Sequence, residues 1–158
     1  MKGDAKILET LNNLLADELT AINQYMVHSE MCANWGYQRL HKIVEKRAID
    51  EMKHAERLIG RILFLEGTPM VSRLKEIHIG VDVQQQFKSD WAAEADAIRA
   101  YNDAVRQALE AGDNGTRELL DSILGDEEKH IDLIESQLDQ IKQMGIQIFL
   151  AEQIAGEG

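Results

Sequence analysis

Two Glu-x-x-His pairs carry the most specific chemistry in this chain: Glu51 with His54, and Glu127 with His130. Residues three apart share a helix face, so each pair can close on one ion together. Two further glutamates, Glu18 and Glu94, lie inside apolar stripes among leucines, isoleucines and tyrosines. Such a stripe faces the interior, where a carboxylate without compensation is costly. Four buried carboxylates and two imidazoles are therefore expected to enclose two divalent cations, whose charge cancels theirs. Carboxylate and imidazole donors without thiolate suit iron or manganese, and zinc less selectively. Six protein ligands shared by two ions leave open positions, as a redox or oxygen-binding site requires.

The spacings repeat. Glu18 to Glu51 and Glu94 to Glu127 are both 33 residues, and one offset of 76 relates Glu18/Glu94, Glu51/Glu127, His54/His130 and Tyr25/Tyr101. The chain thus reads as two helix hairpins carrying the same polar groups. In an antiparallel hairpin, residues at one level are equally far from the turn. The midpoints, 34.5 and 110.5, fall at Asn34-Trp35 and just before Ala111-Gly112. All six groups are therefore expected at one level, halfway along a bundle.

The elements that must position them follow from the 3.6-residue period. Four stripes run Leu11, Leu14, Glu18, Ile22, Tyr25; Val44, Glu51, His54, Leu58, Leu65; Phe87, Trp91, Glu94, Ile98, Tyr101, Val105; and Ile123, Glu127, His130, Ile134, Ile141. Asn34-Trp35-Gly36 and Gly112-Asp113-Asn114-Gly115 read as turns. Gly67-Thr68-Pro69 ends the second helix, since proline is excluded from a helix interior. No helical stripe runs from Gly67 to about Val81, so this segment reads as a crossover. Asp82 with Gln85 reads as a capping box opening the third helix, and Gly145 stops the fourth. A short apolar tail follows (Ile146, Ile148, Phe149, Leu150, Ile154). It is too short to hold as an isolated helix, so burial against neighbouring subunits is expected. The fold class is all-α: a four-helix bundle with a long crossover between helices two and three.

The 158 residues suit one domain, 1–158. A formal net charge of −11 argues against nucleic-acid or anionic-membrane partners. No stretch approaches the roughly 20 apolar residues of a membrane span. No signal-type apolar run precedes Ile7-Leu8. The single cysteine, Cys32, forms no internal disulfide and no Cys-x-x-Cys knuckle, so a cytoplasmic location is expected.

The sequence resembles bacterioferritin over nearly its whole length. The resemblance rests on Met1-Lys2-Gly3-Asp4, Ala21-Ile22-Asn23-Gln24-Tyr25, Ile49-Asp50-Glu51-Met52-Lys53-His54-Ala55, Ile62-Leu63-Phe64-Leu65-Glu66-Gly67 and Asp126-Glu127-Glu128-Lys129-His130-Ile131-Asp132. It implies a ferritin-like bundle whose fifth, C-terminal helix lies at fourfold contacts of a hollow 24-subunit shell. It implies iron storage, with Fe(II) oxidised by dioxygen or hydrogen peroxide at an intrasubunit di-iron centre. Glu18 and His54 would bind one iron, Glu94 and His130 the other, and Glu51 and Glu127 would bridge them. Tyr25 would tune the centre or supply an electron; from the residues alone, Tyr25 and Tyr101 read as buried aromatics with satisfied hydroxyls. Haem b would bind between two subunits through Met52 of each, and a small ferredoxin would donate electrons for iron release. Met52 is one residue past inward-facing Glu51, so it points about 100° away, toward a neighbour. The matching position of the second hairpin is Glu128. Several family members carry histidine where this chain has Lys46, beside Asp50; a protonated lysine is a poor ligand, so their inner-surface iron site is not expected here.

Other readings are a rubrerythrin-like peroxidase, a small DNA-protecting shell protein and a purely structural bundle. The first usually adds a four-cysteine iron module that one cysteine cannot build. The second places iron ligands between subunits and often carries a basic tail. The third predicts no tight metal binding.

Overall fold

In the computed structural model, which describes residues 1–154, five helices follow one another: α1 (Ala5–Asn34), α2 (Gln38–Phe64), α3 (Val83–Glu110), α4 (Asn114–Met144) and α5 (Ile146–Gln153). No strand occurs among the described residues. The expected domain extends to Gly158, and its last four residues lie outside those described. No described helix is long and apolar enough to cross a membrane.

Aspartates start three of the long helices. Asp4 accepts from the amides of Lys6 and Ile7, Asp82 from Gln85, and Asp113 from Thr116. Each cap satisfies an amide with no partner inside the helix, a contribution of about 1 kcal/mol. Because Asp113 is the cap, Asn114 and Gly115 already belong to α4, and the second turn is shorter than expected. Gly145 separates α4 from α5 at φ 82°, a conformation that favours glycine.

The short links make α1/α2 and α3/α4 hairpins. Bonds between hairpins fix their register. Thr10 pairs with Gln107 and Tyr25 with Glu94, so α1 runs antiparallel to α3; Arg61 pairs with Asp113 and His54 with Asp126, so α2 runs antiparallel to α4. It follows that α2 and α3 are parallel, and residues 65–82 must travel the length of the bundle. They do so along α1, bonded rung by rung. Asn12 holds Thr68 and Met70, Asn13 holds Arg73, Thr20 holds Lys75, Gln24 holds His78 and His28 holds Gly80. Side chains of α1 thereby replace the backbone partners an extended strap lacks. Gly80 lies so close to α3 that an added Cβ would come 2.3 Å from the Gln86 amide nitrogen.

The core is split. One apolar cluster, including Leu11, Leu15, Leu58, Ile62 and Leu120, fills one end; the other, including Cys32, Leu40, Phe87, Ile134 and Phe149, fills the opposite end. Burying each such side chain contributes about 1.5–3 kcal/mol. The layer between them is polar.

Two expectations need correction. Trp91 is not on the inward stripe of α3: it is 39% exposed and its indole N–H donates to Glu135. The inward position one step earlier belongs to Asp90, four residues before Glu94 on the same face. The apolar tail also docks partly within its own chain. Phe149 is buried edge-on against Phe87, with ring centroids 5.9 Å apart, while Ile148 and Ile154 stay exposed.

Candidate metal centre

Glu18, Glu51, His54, Glu94, Glu127 and His130 meet in the polar layer, and all six are buried. α1 and α3 contribute one glutamate each; α2 and α4 contribute one Glu-x-x-His pair each. Their donor atoms form two groups, each with all its atoms within 4.8 Å of one another. One group is Glu18, Glu51, His54 and Glu127; the other is Glu51, Glu94, Glu127 and His130. Glu51 and Glu127 belong to both. This is the arrangement of two adjacent cation positions with two shared carboxylates.

The imidazoles are aimed inward by aspartates behind them. His54 Nε2 donates to Asp126 Oδ2 at 2.9 Å, and His130 Nε2 donates to Asp50 Oδ2 at 3.0 Å. A carboxylate only accepts, so the proton sits on Nε2 and Nδ1 faces the glutamates. His54 Nδ1 lies 3.4 Å from Glu127 and 3.6 Å from Glu18. His130 Nδ1 lies 3.0 Å from Glu51, 3.2 Å from Glu127 and 3.3 Å from Glu94. Sequence spacing marks Asp50 and Asp126 but does not show that they stand behind the imidazoles. Each directly precedes the glutamate of a Glu-x-x-His pair, and they share the 76-residue offset.

Tyrosines complete the pseudo-symmetry. The Tyr25 hydroxyl donates to Glu94 Oε1 at 2.6 Å, and the Tyr101 hydroxyl donates to Glu18 Oε1. Burial and the surrounding carboxylates push both phenols well above the usual value, so both keep their protons. Met52 is 46% exposed, although its neighbour Glu51 is buried, so it points away from the centre. Lys46 is exposed and pairs with Asp50 at 3.3 Å, on the carboxylate that also holds His130.

Electrostatics show what the layer lacks. Burial, then the neighbouring Glu18 and Glu127, raise the Glu51 carboxyl well above its normal range. Burial also raises Glu94, with Glu127 adding to the effect. For the histidines, burial alone would lower the pKa. Glu18, Glu127 and Asp126 outweigh it for His54, which reaches about 9; Glu127 and Glu94 carry His130 to about 10. Glu51, Glu94, His54 and His130 all lean toward their protons because the layer is short of positive charge. Arg47, buried on α2, does not supply it: it pairs with Asp90 at 3.2 Å and stacks on the Tyr25 ring.

Eight buried side-chain atoms among the described residues lack a well-formed hydrogen bond. Six of them are one atom from each residue of the centre: Glu18 Oε2, Glu51 Oε1, His54 Nδ1, Glu94 Oε2, Glu127 Oε1 and His130 Nδ1. Native proteins satisfy about 90% or more of such atoms. A concentration of orphans in one place, each able to offer a lone pair once its proton is displaced, fits a pair of cations. Cys32 takes no part: it is buried, and its thiol is pushed up to about 11.

Comparison with known proteins gives the same direction. Residues 8–144 match the ferritin-like domain family. The chain is 40% identical to a bacterioferritin of Mycolicibacterium paratuberculosis over 152 residues, covering 96% of each chain. It is also 40% identical to bacterioferritins of Rhodobacter capsulatus, over 94% of this chain and 92% of the relative, and of Brucella melitensis, over 92% and 90%.

Proposed function

Because this chain belongs to the bacterioferritin family, we propose that it stores iron, oxidising Fe(II) to Fe(III) at the centre between its helices. The supporting observation is the set of six orphaned donor atoms arranged as two groups with two carboxylates in common. Fe(II) is the substrate. Glu18 and His54 hold one ion, Glu94 and His130 the other, and Glu51 and Glu127 lie between them. Two ferrous ions side by side release two electrons together. Dioxygen with two protons then becomes hydrogen peroxide, or hydrogen peroxide with two protons becomes two waters. Asp50 and Asp126 keep each Nδ1 turned to the ions, while Tyr25 orients Glu94 and can supply an electron.

Storage requires an enclosure. A shell of 24 chains of 17.9 kDa has a mass of about 430 kDa, and the exposed apolar side chains Met26 and Val27 on α1 and Ile49 and Met52 on α2 are available for pairing chains. Light scattering is expected to give this mass, with iron uptake far above two ions per chain. A monomer or dimer that stops at two ions would remove storage and leave the centre.

Haem b fits the same surface. Met52 presents a half-exposed thioether, so two copies brought together by a twofold axis would offer one sulfur each to the haem iron. Haem held there supplies a one-electron carrier for releasing stored iron, with a small ferredoxin as donor. The expected result of Met52→Leu, an exchange that conserves volume, is loss of the Soret band with the shell intact. A retained Soret band would assign the haem to another ligand.

A further inference from the structure

A cavity of about 620 Å³ opens between α1 and α3 under the crossover strap, and its floor is the metal centre itself: Glu18, Glu51, Glu94 and Glu127. All four of these carboxylates hold an orphaned oxygen at more than nine-tenths burial: Glu18 Oε2, Glu51 Oε1, Glu94 Oε2 and Glu127 Oε1. The walls are low, built from Ala21, Ala93 and Ala97. The rim is charged, with Asp17 on α1, Asp96 on α3 and Glu76 on the strap facing Lys75 and Lys88. Lys75 is fixed at both ends. Its backbone amide donates to the Thr20 hydroxyl at 2.8 Å, and its ammonium contacts the Asp17 carboxylate.

We propose that Fe(II) reaches the centre through this cavity, and that Asp17 receives the ion at the rim in exchange for the Lys75 ammonium. The proposal rests on the reading of the floor as the iron centre. Asp17 is suited to the exchange. It is only a quarter exposed, lies at the mouth of the cavity, and its carboxylate is held by the Lys75 ammonium. A divalent ion in the place of the ammonium doubles the positive charge facing that carboxylate. The ammonium, half-exposed on a flexible stem, can swing into water when displaced. Asp17 then passes the ion inward along a short apolar wall to carboxylates that each keep one unbonded oxygen.

Rapid mixing with Co(II), which binds without being oxidised, separates entry from the centre. At low ionic strength, Asp17→Asn is expected to slow the appearance of the bound-cobalt absorption by about tenfold, the lower end of electrostatic steering effects. Lys75→Ala is expected to speed it several-fold. Both variants should reach the same end point of two ions per chain, and the differences should shrink in high salt. If both variants bind at the wild-type rate and reach that end point, the route is overturned and the centre stands. A slowing by Lys75→Ala would overturn the exchange step. Failure of the unaltered protein to bind a cobalt pair would overturn the centre itself.

Discussion

Replacing Glu94 by alanine is expected to slow the fast phase of Fe(II) oxidation by at least about 100-fold, measured by stopped-flow absorbance at two Fe(II) per chain. The magnitude follows from position. Removing a partner behind a metal ligand typically costs about 10–100-fold in affinity or activity. Glu94 is more deeply involved, as a donor in the second cation group that also orients toward His130. Its loss leaves that ion with one terminal ligand, His130, and the two electrons are no longer released together. The Tyr25 hydroxyl loses its acceptor in the same change. Asp126→Ala should be milder, about 10-fold or more, because His54 keeps its place on α2 and loses only its orientation. If the fast phase survived Glu94→Ala unchanged, the ligand set would be misassigned.

Loading the centre with Co(II) is expected to raise the melting temperature by roughly 10–20 °C over the chelated protein at the same concentration. Each ion held at 100 times its dissociation constant stabilises the fold by about 2.7 kcal/mol. Two ions give roughly 5 kcal/mol, and about 2–4 °C per kcal/mol applies at this chain length. The difference should widen as pH rises. In the metal-free protein the raised pKa values of His54 and His130 mean that their protonated forms stabilise the fold. That contribution is complete below about 6.5 and disappears as pH climbs through about 9 to 10. Cations need the unprotonated Nδ1, so they compete with protons and bind more tightly as pH rises. Scanning calorimetry from pH 6 to 9, with and without metal, checks both. A constant or narrowing difference would separate the histidines from cation binding.

The helices and the centre were legible in the sequence for different reasons. Long apolar periods mark α1 to α4 because burial of one face drives each of them. The centre is visible because six polar residues interrupt those periods at a repeated offset, which packing alone does not produce. Trp91 steps by threes and fours with the stripe although it lies one residue off the buried face; Asp90, the inward residue, looks like an ordinary surface acid. The same ambiguity hides Arg47, which lies four residues before Glu51 on the inward face of α2 and is held by Asp90 and the Tyr25 ring. Asp50 and Asp126 act through imidazoles on an opposing helix, and that contact exists only once the hairpins have packed. The path of the strap was also hidden, since it depends on Asn12, Thr20, Gln24 and His28 bonding backbone groups more than 50 residues away. A hydrophobic pattern records none of these bonds. The docking of Phe149 on Phe87 is hidden likewise, because the apolar tail carries no sign of whether its own chain or a neighbour covers it.

Anomalous diffraction at the iron edge, from a crystal soaked anaerobically in ferrous salt, addresses the central claim directly. Two peaks are expected in each chain, separated by the Glu51 and Glu127 carboxylates. One should lie about 2.0–2.2 Å from His54 Nδ1 and the other at the same distance from His130 Nδ1. Peaks confined to surface carboxylates, with the six side chains closed on one another through protons alone, would contradict it.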